Sequence, residues 1–224
     1  MIKVIVFDFD GVITERGEAL KEEAWENLPL DPAEALIQSS FMAALLSERR
    51  LLGQGKAKGD RYSILRNTLK VVGCSESDLE QKVALYAKRY NDNVQRLIQS
   101  EPMSSRAEDG LSMLSNRSQL FVNTATPTEA VKESLRNLGI AKYFADVLGS
   151  EHAKLKNLAS IAERQGVSPA EMIFIGDSDD DIKAAQAFGC MFIGRRNDWN
   201  KWTSEKPFPI ISSLTEIEAL IQEL

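Results

Sequence analysis

The sequence predicts an α/β protein in which a doubly wound parallel sheet is interrupted by an all-helical insertion. Short apolar runs at residues 4–7 and 172–176 are bounded by turn residues, as is typical of strands buried on both faces. From about residue 100 onwards, such runs alternate with segments of helical periodicity, which predicts a parallel sheet with helices on both faces. Between the first run and that point, the apolar spacing is helical only.

The first strand is predicted at residues 4–7, and it ends in two carboxylates. Asp8 and Asp10 follow the apolar run, and Gly11 comes next. In open α/β sheets, ligands bind beyond the carboxyl ends of the strands. Two carboxylates on one face of a strand repel each other unless a cation or a proton lies between them. Asp8 and Asp10 are therefore candidate site residues, against the alternative of an acidic turn.

The segment that follows is predicted to be entirely helical. Apolar residues recur at helical spacing in four places, near residues 19–28, 36–51, 64–72 and 79–98. Pro102 closes this segment. We interpret residues 16–99 as a helical domain inserted into a core formed by residues 1–15 and 100–224.

The remaining chain is predicted to alternate between helices and strands. Helices are expected near residues 106–115, 128–138, 154–165, 179–188 and 214–223. Strands are expected near residues 119–123, 146–148, 172–176, 190–193 and 210–211. Gly139, Gly166 and Gly189 stand at three helix ends, where glycine accommodates the left-handed backbone that ends many helices.

A second acidic cluster, Asp177-Ser178-Asp179-Asp180-Asp181, follows the strand at residues 172–176. Two acidic strand ends so far apart in the chain predict one site that is assembled by folding. Mg²⁺ takes oxygen ligands, often one or two carboxylates plus a phosphate. A calcium-binding loop beginning at Asp177 is excluded, because Ile182 and Phe188 stand where that loop needs Gly and Glu.

These segments resemble motifs of the haloacid dehalogenase superfamily of phosphotransferases. Asp8-Phe9-Asp10-Gly11-Val12 is similar to the first motif, and residues 176–181 are similar to the fourth. The second motif is an apolar strand that ends in Thr or Ser, and residues 120–127 match it with Thr124 in the key place. Ala125 departs from the pattern, since Asn or Gly often follows that Thr.

The third motif of the family is a lysine that precedes a helix. Lys154 and Lys156 both lie at a suitable distance from the fourth motif. Lys154 fits better, because Leu158 follows it at the spacing Lys-x-x-x-Leu and begins the apolar face of the helix. The four motifs stand in the family's order, and the helical insertion corresponds to the family's cap domain.

The resemblance implies a phosphoryl-transfer site. Asp8 would be the nucleophile that forms an aspartyl-phosphate, and Asp10 would be the general acid and then the base that activates water. Mg²⁺ would bind the Asp8 side chain, the Asp10 backbone carbonyl and Asp177, while Asp181 would hold metal-bound waters. The residues that would bind the phosphorylated substrate are Thr124, Ala125 and Lys154.

Within this family, the sequence favours a phosphatase. Dehalogenases and phosphonate hydrolases lack a carboxylate at the place of Asp10. Leu20 stands near the place where β-phosphoglucomutase has a cap-hinge histidine, which disfavours a phosphomutase. The resemblance implies a small phosphorylated substrate, either phosphoglycolate-like or a sugar phosphate. The alternatives are a phosphomutase and a non-catalytic binding or regulatory protein on the same fold.

Composition and cysteine spacing favour a cytoplasmic protein and disfavour nucleic-acid binding and a membrane span. The net charge of −6 disfavours nucleic-acid binding. No apolar stretch approaches the ~20 residues that span a membrane. Cys74 and Cys190 have no metal or redox spacing, which favours a reducing cytoplasm.

Residues 49–70 form a basic segment within this acidic chain. Counted from Ser47 to Lys70, seven basic residues accompany two acidic ones. The segment is either a solvated surface or a surface that attracts an anionic substrate. In the second case, Lys56, Lys58 and Arg61 are predicted to contact the non-reacting end of the substrate.

Overall fold

The computed structural model describes residues 1–53, 60–100 and 105–222. The chain divides into two compact units. The core unit consists of Met1–Ala19 and Ile98–Leu224, and the helical unit consists of Leu20–Leu97.

The core unit contains a six-stranded parallel sheet. Its strands are β1 (Val4–Phe7), β2 (Gln119–Asn123), β3 (Phe144–Leu148), β4 (Met172–Gly176), β5 (Met191–Arg195) and β6 (Ile210–Ile211). Their order across the sheet is β3-β2-β1-β4-β5-β6, and each neighbouring pair is parallel. The chain runs outwards from β1 to β3 and then continues on the other side of β1 with β4. This doubly wound order confirms the predicted α/β fold class.

The two strands that end in acids are the most deeply buried. All four residues of β1 and all five of β4 are buried. Uninterrupted apolar runs are expected in the middle of a parallel sheet, because neither face of these strands meets water.

Aromatic side chains hold the helical unit together. The helices that form this unit and its connections to the core are α1 (Gly17–Glu26), α2 (Pro32–Ala35), α3 (Gln38–Gly53), α4 (Arg61–Val71) and α5 (Leu79–Ser100). Trp25 of α1 stacks on Tyr90 of α5, with ring centroids 3.9 Å apart. Phe41 of α3 packs against Tyr86 of α5, with ring centroids 5.7 Å apart. The apolar face of α5 is thus the shared support of α1 and α3.

The apolar spacing mispredicts the residues just before α3. A stripe of helical spacing was expected from Leu36 onwards, but Leu36 and Ile37 lie in the turn between α2 and α3. Leu36 is 89% exposed. Since α2 begins at Pro32 and is only one turn long, residues on either side of this turn do not share a helix face.

The helices of the core unit begin and end close to the predicted positions. They are α6 (Ser105–Ser115), α7 (Thr128–Asn137), α8 (Lys154–Gln165), α9 (Asp179–Phe188) and α10 (Ile217–Gln222). Gly166 and Gly189 end α8 and α9 with positive φ, as the sequence predicts. The last helix begins later than predicted, because residues 214–216 form a 3₁₀ turn. None of the helices among the described residues has the length and apolar character needed to cross a membrane.

Candidate active site

The predicted motifs meet at the carboxyl edge of the sheet. Phe7 of β1 lies opposite Val122 of β2 and opposite Ile175 of β4. These three strands therefore end at the same level, and the residues that follow them lie at one edge of the sheet. Those residues include Asp8, Thr124 and Asp177. The chain changes direction across the sheet at this point, which is where open α/β sheets bind ligands.

A lysine and two aspartates form a buried ion-pair cluster at this edge. The Nζ atom of Lys154 lies 2.9 Å from Oδ2 of Asp8 and 2.6 Å from Oδ1 of Asp181. The three side chains are 13%, 9% and 0% exposed, respectively. Lys156, the alternative from the sequence, is exposed, and its Nζ lies 3.5 Å from Nδ1 of His152. The structure thus places Lys154, and not Lys156, beside Asp8.

The pKa values of Asp8 and Lys154 are both raised, but for different reasons. Burial, with repulsion from Asp181, raises the pKa of Asp8 to about 7, although Lys154 opposes the shift. Burial lowers the pKa of Lys154, but attraction to Asp8 and Asp181 outweighs it and raises the pKa above the usual range. Lys154 is therefore a permanent cation at neutral pH. It favours the ionised form of the carboxylate that it touches.

Asp181 is held from several sides. Its Oδ2 accepts hydrogen bonds from the Ser178 hydroxyl (2.6 Å), from the Ser178 backbone N–H (3.1 Å) and from the Asp177 backbone N–H (3.2 Å). Ser178 caps α9 in return, so the carboxylate is part of the helix start. A Cβ atom on Gly176 would lie 2.4 Å from Cβ of Asp181, so only glycine fits there. Asp181 thus uses both its oxygens to support Lys154 and the turn after β4.

Three carboxylates come close enough to share a cation. One oxygen from each of Asp8, Asp177 and Asp181 lies within 4.8 Å of the others. Carboxylate oxygens of this kind fit a hard cation such as Mg²⁺. Among the described residues, the side chain of Asp10 is not part of this group. The predicted ligand from Asp10 is its backbone carbonyl, and that ligand remains a prediction.

Thr126 links the first motif to the second. Its hydroxyl donates a hydrogen bond to Oδ2 of Asp10 (2.9 Å), and its backbone N–H donates one to Oγ1 of Thr124 (3.2 Å). Ala125 lies between them on the exposed side of the same turn. No sequence pattern indicates this role for Thr126, because its contact with Asp10 joins residues far apart in the chain.

A buried pair of amides supports the start of α8. Nδ2 of Asn157 donates to Oδ1 of Asn123 (2.9 Å) and to the carbonyl of Gly149 (3.0 Å). Nδ2 of Asn123 donates to the carbonyl of Lys154 (3.0 Å). Both asparagines are at most 1% exposed. The one available signal was a polar residue at the end of an apolar strand and another on the apolar face of a helix.

Gly11 and Gly139 have similar positive φ values but different surroundings, so together they test whether the first and fourth motifs must approach closely for stability. Its φ is +75°, and a Cβ atom there would lie 2.0 Å from Oδ2 of Asp177. Gly139 has a φ of +73° but open space around the same position. We expect Gly139→Ala to lower the free energy of unfolding by about 1–2 kcal/mol through backbone strain alone. Gly11→Ala should lower it by more, because the clash adds to the strain.

Chemical denaturation of the two variants measures this difference. Equal losses of stability would show that the turn at Gly11 relaxes freely, and that the close approach to Asp177 is not required for folding.

Most basic side chains in the described part of the basic segment make contacts within the helical unit. Arg49 pairs with Glu22, Arg66 with Glu80, and Lys70 with Glu76. The guanidinium of Arg61 lies 5.3 Å from the ring centroid of Tyr90. Lys56 and Lys58 lie outside the described residues. The contacts of Arg49, Arg61 and Arg66 favour, for these three residues, a surface without a role in substrate binding.

Comparison with known proteins gives matches to one family over most of the chain. A family model described as haloacid dehalogenase-like hydrolase matches residues 2–189. Phosphoglycolate phosphatase from Escherichia coli (strain K12) is 42% identical over 82 residues, which are 34% of this chain. That alignment spans only 32% of the relative's own length.

Two further matches extend over nearly the whole chain. Phosphoglycolate phosphatase from Neisseria meningitidis (serogroup A) is 28% identical over 236 residues, covering 99% of this chain and 94% of the relative. The solved structure of the HAD-hydrolase YfnB from Bacillus subtilis, bound to magnesium, has a TM-score of 0.68 at 22% identity and covers 98% of each chain. This structural likeness shows that the two chains share a fold.

Proposed function

Since this chain belongs to the haloacid dehalogenase-like hydrolase family, we propose that it is a Mg²⁺-dependent phosphatase. Its substrate would be a small phosphorylated metabolite, phosphoglycolate-like or a sugar phosphate. The observation that carries the proposal is the buried contact of Lys154 with Asp8 and Asp181 at the end of β1. Relatives named phosphoglycolate phosphatase support the substrate class.

The side chains of Asp8 and Asp177, with the backbone carbonyl of Asp10, would hold the Mg²⁺ ion. When bound, the ion supplies positive charge that neutralises the phosphoryl oxygens. The close approach of three carboxylates supports this assignment, because like-charged oxygens this close repel one another and a bound cation relieves the repulsion. Asp181 is tied to Lys154 and Ser178, which supports its role behind the ligands rather than among them.

Asp8 is proposed as the nucleophile. Its carboxylate attacks the phosphorus atom, the bond from phosphorus to the leaving oxygen breaks, and an aspartyl-phosphate forms. The backbone N–H of Phe9 donates to Oδ1 of Asp8 (2.7 Å), and Lys154 binds Oδ2. These two contacts orient the carboxylate and favour its ionised form. Lys154 then stands beside the transferred group, whose negative charge it partly neutralises.

Asp10 is proposed to move the proton. In its protonated form it gives a proton to the leaving alkoxide, and it then takes one from the water that hydrolyses the aspartyl-phosphate. Thr126 holds Oδ2 of Asp10 from one side. Near Oδ1, a Cβ atom on Gly17 would come within 2.6 Å, so the absence of a side chain there leaves that oxygen room. Thr124 and the backbone at Ala125 are proposed to bind the phosphoryl oxygens.

Leu20 stands near the place of the mutase histidine and carries no group that could move a proton, which disfavours the phosphomutase alternative. The buried Lys154–Asp8 pair likewise disfavours a non-catalytic binding protein. Burying charges is unfavourable unless they are needed, and here the buried carboxylate lies at the edge where ligands bind.

Phosphate release from an aryl phosphate tests the proposal. The purified protein should release phosphate in the presence of Mg²⁺, and a chelator should stop the release. A panel of phosphorylated metabolites then identifies the preferred substrate class. Absence of release from every compound in the presence of Mg²⁺ would overturn the proposal.

Two lysines of α8 provide a matched pair for the same assay. We expect Lys154→Met to lower kcat by ~10²–10³-fold, because a preorganised charge beside the transferred group is lost. Lys156→Met removes an exposed lysine one half-turn away and should leave kcat within about twofold of the wild type. If both variants keep wild-type rates and wild-type melting temperatures, Lys154 has no role in the reaction.

A further inference from the structure

The loop that follows β5 reaches the fourth motif through Asn197. Nδ2 of Asn197 donates a hydrogen bond to Oδ2 of Asp177 (2.7 Å) and another to the carbonyl of Gly11 (3.2 Å). One amide therefore bridges the turn after β1 and the acid after β4. Nothing in the sequence pattern singled out this loop, since it contains neither periodic apolar residues nor a motif.

A second asparagine of the loop holds the backbone of the same acid. Nδ2 of Asn200 donates to the carbonyl of Asp177 (2.9 Å) and to the carbonyl of Arg195 (2.9 Å). Arg195 is the last residue of β5. Asn200 thus joins the ends of β4 and β5 at the point where Asp177 leaves the sheet.

The Oδ1 atoms of Asn197 and Asn200 also accept hydrogen bonds, and these bonds define the orientation of each amide. Oδ1 of Asn197 accepts from the backbone N–H groups of Trp199 and Asn200, both at 3.0 Å. Oδ1 of Asn200 accepts from the backbone N–H of Asn197 (3.3 Å) and from that of Trp202 (3.1 Å). Rotating either amide by 180° would turn its NH₂ group towards two N–H donors. The NH₂ groups must therefore face Asp177.

This arrangement suits a carboxylate that has to bind a cation in a crowded acidic site. Asp177 lies close to Asp8 and Asp181, and like-charged carboxylates at this distance repel one another. The neutral amide of Asn197 donates to Oδ2 of Asp177 without adding a charge to the site. This hydrogen bond also limits rotation of the Asp177 carboxylate, so that the lone pairs left for metal binding keep a fixed orientation.

We infer that Asn197 and Asn200 are positioning residues for the metal site. Asn197 orients the carboxylate of Asp177, and Asn200 fixes the backbone that carries it. The inference rests on the proposed function, since it takes Asp177 as a Mg²⁺ ligand.

Calorimetric titration of the metal-free protein with Mg²⁺ tests the inference directly. We expect Asn197→Ala to weaken Mg²⁺ binding by ~10–100-fold, the usual effect of removing a hydrogen-bond partner of a metal ligand. Asn200→Ala should weaken binding in the same direction. Asn116→Ala, an exposed asparagine between α6 and β2, is the matched control and should bind like the wild type.

Asn197→Ser keeps a short oxygen acceptor for the N–H groups of the loop. It carries the test if Asn197→Ala does not fold. Melting temperatures without Mg²⁺ show whether a variant has merely lost stability. In activity assays, the Mg²⁺ concentration for half-maximal rate should rise, while kcat at saturating Mg²⁺ should recover to within severalfold of the wild type. A purely structural role would lower the melting temperature and leave Mg²⁺ affinity unchanged.

The titration distinguishes a failure of the Mg²⁺-dependent function from a failure of the positioning role alone. If the wild-type protein binds no Mg²⁺, the metal-dependent function fails and the positioning role fails with it. If the wild type binds Mg²⁺ and the folded Asn197 variants bind it equally tightly, the positioning role alone is overturned.

Discussion

Replacing Asp8 by Asn should remove turnover while the fold is kept. An amide is a poor nucleophile and a poor ligand for a hard cation, so kcat should fall by on the order of 10⁴–10⁶, as for other hydrolases that lose their nucleophile. The Asn oxygen can still accept from the N–H of Phe9, as Oδ1 of Asp8 does now at 2.7 Å. Lys154 loses its pair with position 8 but keeps its ion pair with Asp181 at 2.6 Å, so the buried cation stays paired in the variant.

Steady-state phosphate release and circular dichroism of the variant measure these two effects. Asp180→Asn is the matched control, because Asp180 lies at the start of α9, is 83% exposed, and pairs with Lys183 on the surface. Rapid acid quenching of the wild type during turnover should trap phosphate on Asp8, which peptide mass spectrometry detects. Near-normal rates in Asp8→Asn would rule out the covalent mechanism.

Replacing Asp10 by Asn should slow the reaction by ~10²–10⁴-fold, the usual contribution of general acid–base catalysis. The loss should depend on the leaving group. An aryl oxygen leaves without help from a proton, whereas an alkoxide needs one, so alkyl phosphates should lose more than aryl phosphates. The Asn amide can still hydrogen-bond to Thr126, so the local structure around position 10 is kept.

A series of aryl and alkyl phosphates, assayed with the wild type and Asp10→Asn, checks this expectation. The comparison is internally controlled, because both classes of substrate require the same attack by Asp8. Equal losses for the two classes would contradict a proton-donor role for Asp10.

The elements around the site could be predicted from the sequence because their signals are local. β4 and α9 begin and end at the predicted residues, since an apolar run and a terminal glycine lie within a few residues of the positions that they determine. The prediction failed at Leu36 and Ile37, where apolar spacing continued across a turn. Periodicity identifies residues of helical spacing, but it does not show that they belong to the same helix.

The fold class and the acids that end β1 and β4 could be predicted from local sequence patterns. Which side chains meet depends on how the elements pack. Spacing left two lysines open, and only the packing of α8 against β2 and α9 places Lys154 against Asp8. The contact of Asn197 with Asp177 likewise depends on β5 lying next to β4. Local patterns reflect interactions between near neighbours in the chain, whereas these contacts follow from strand order and register, which bring distant residues to one edge.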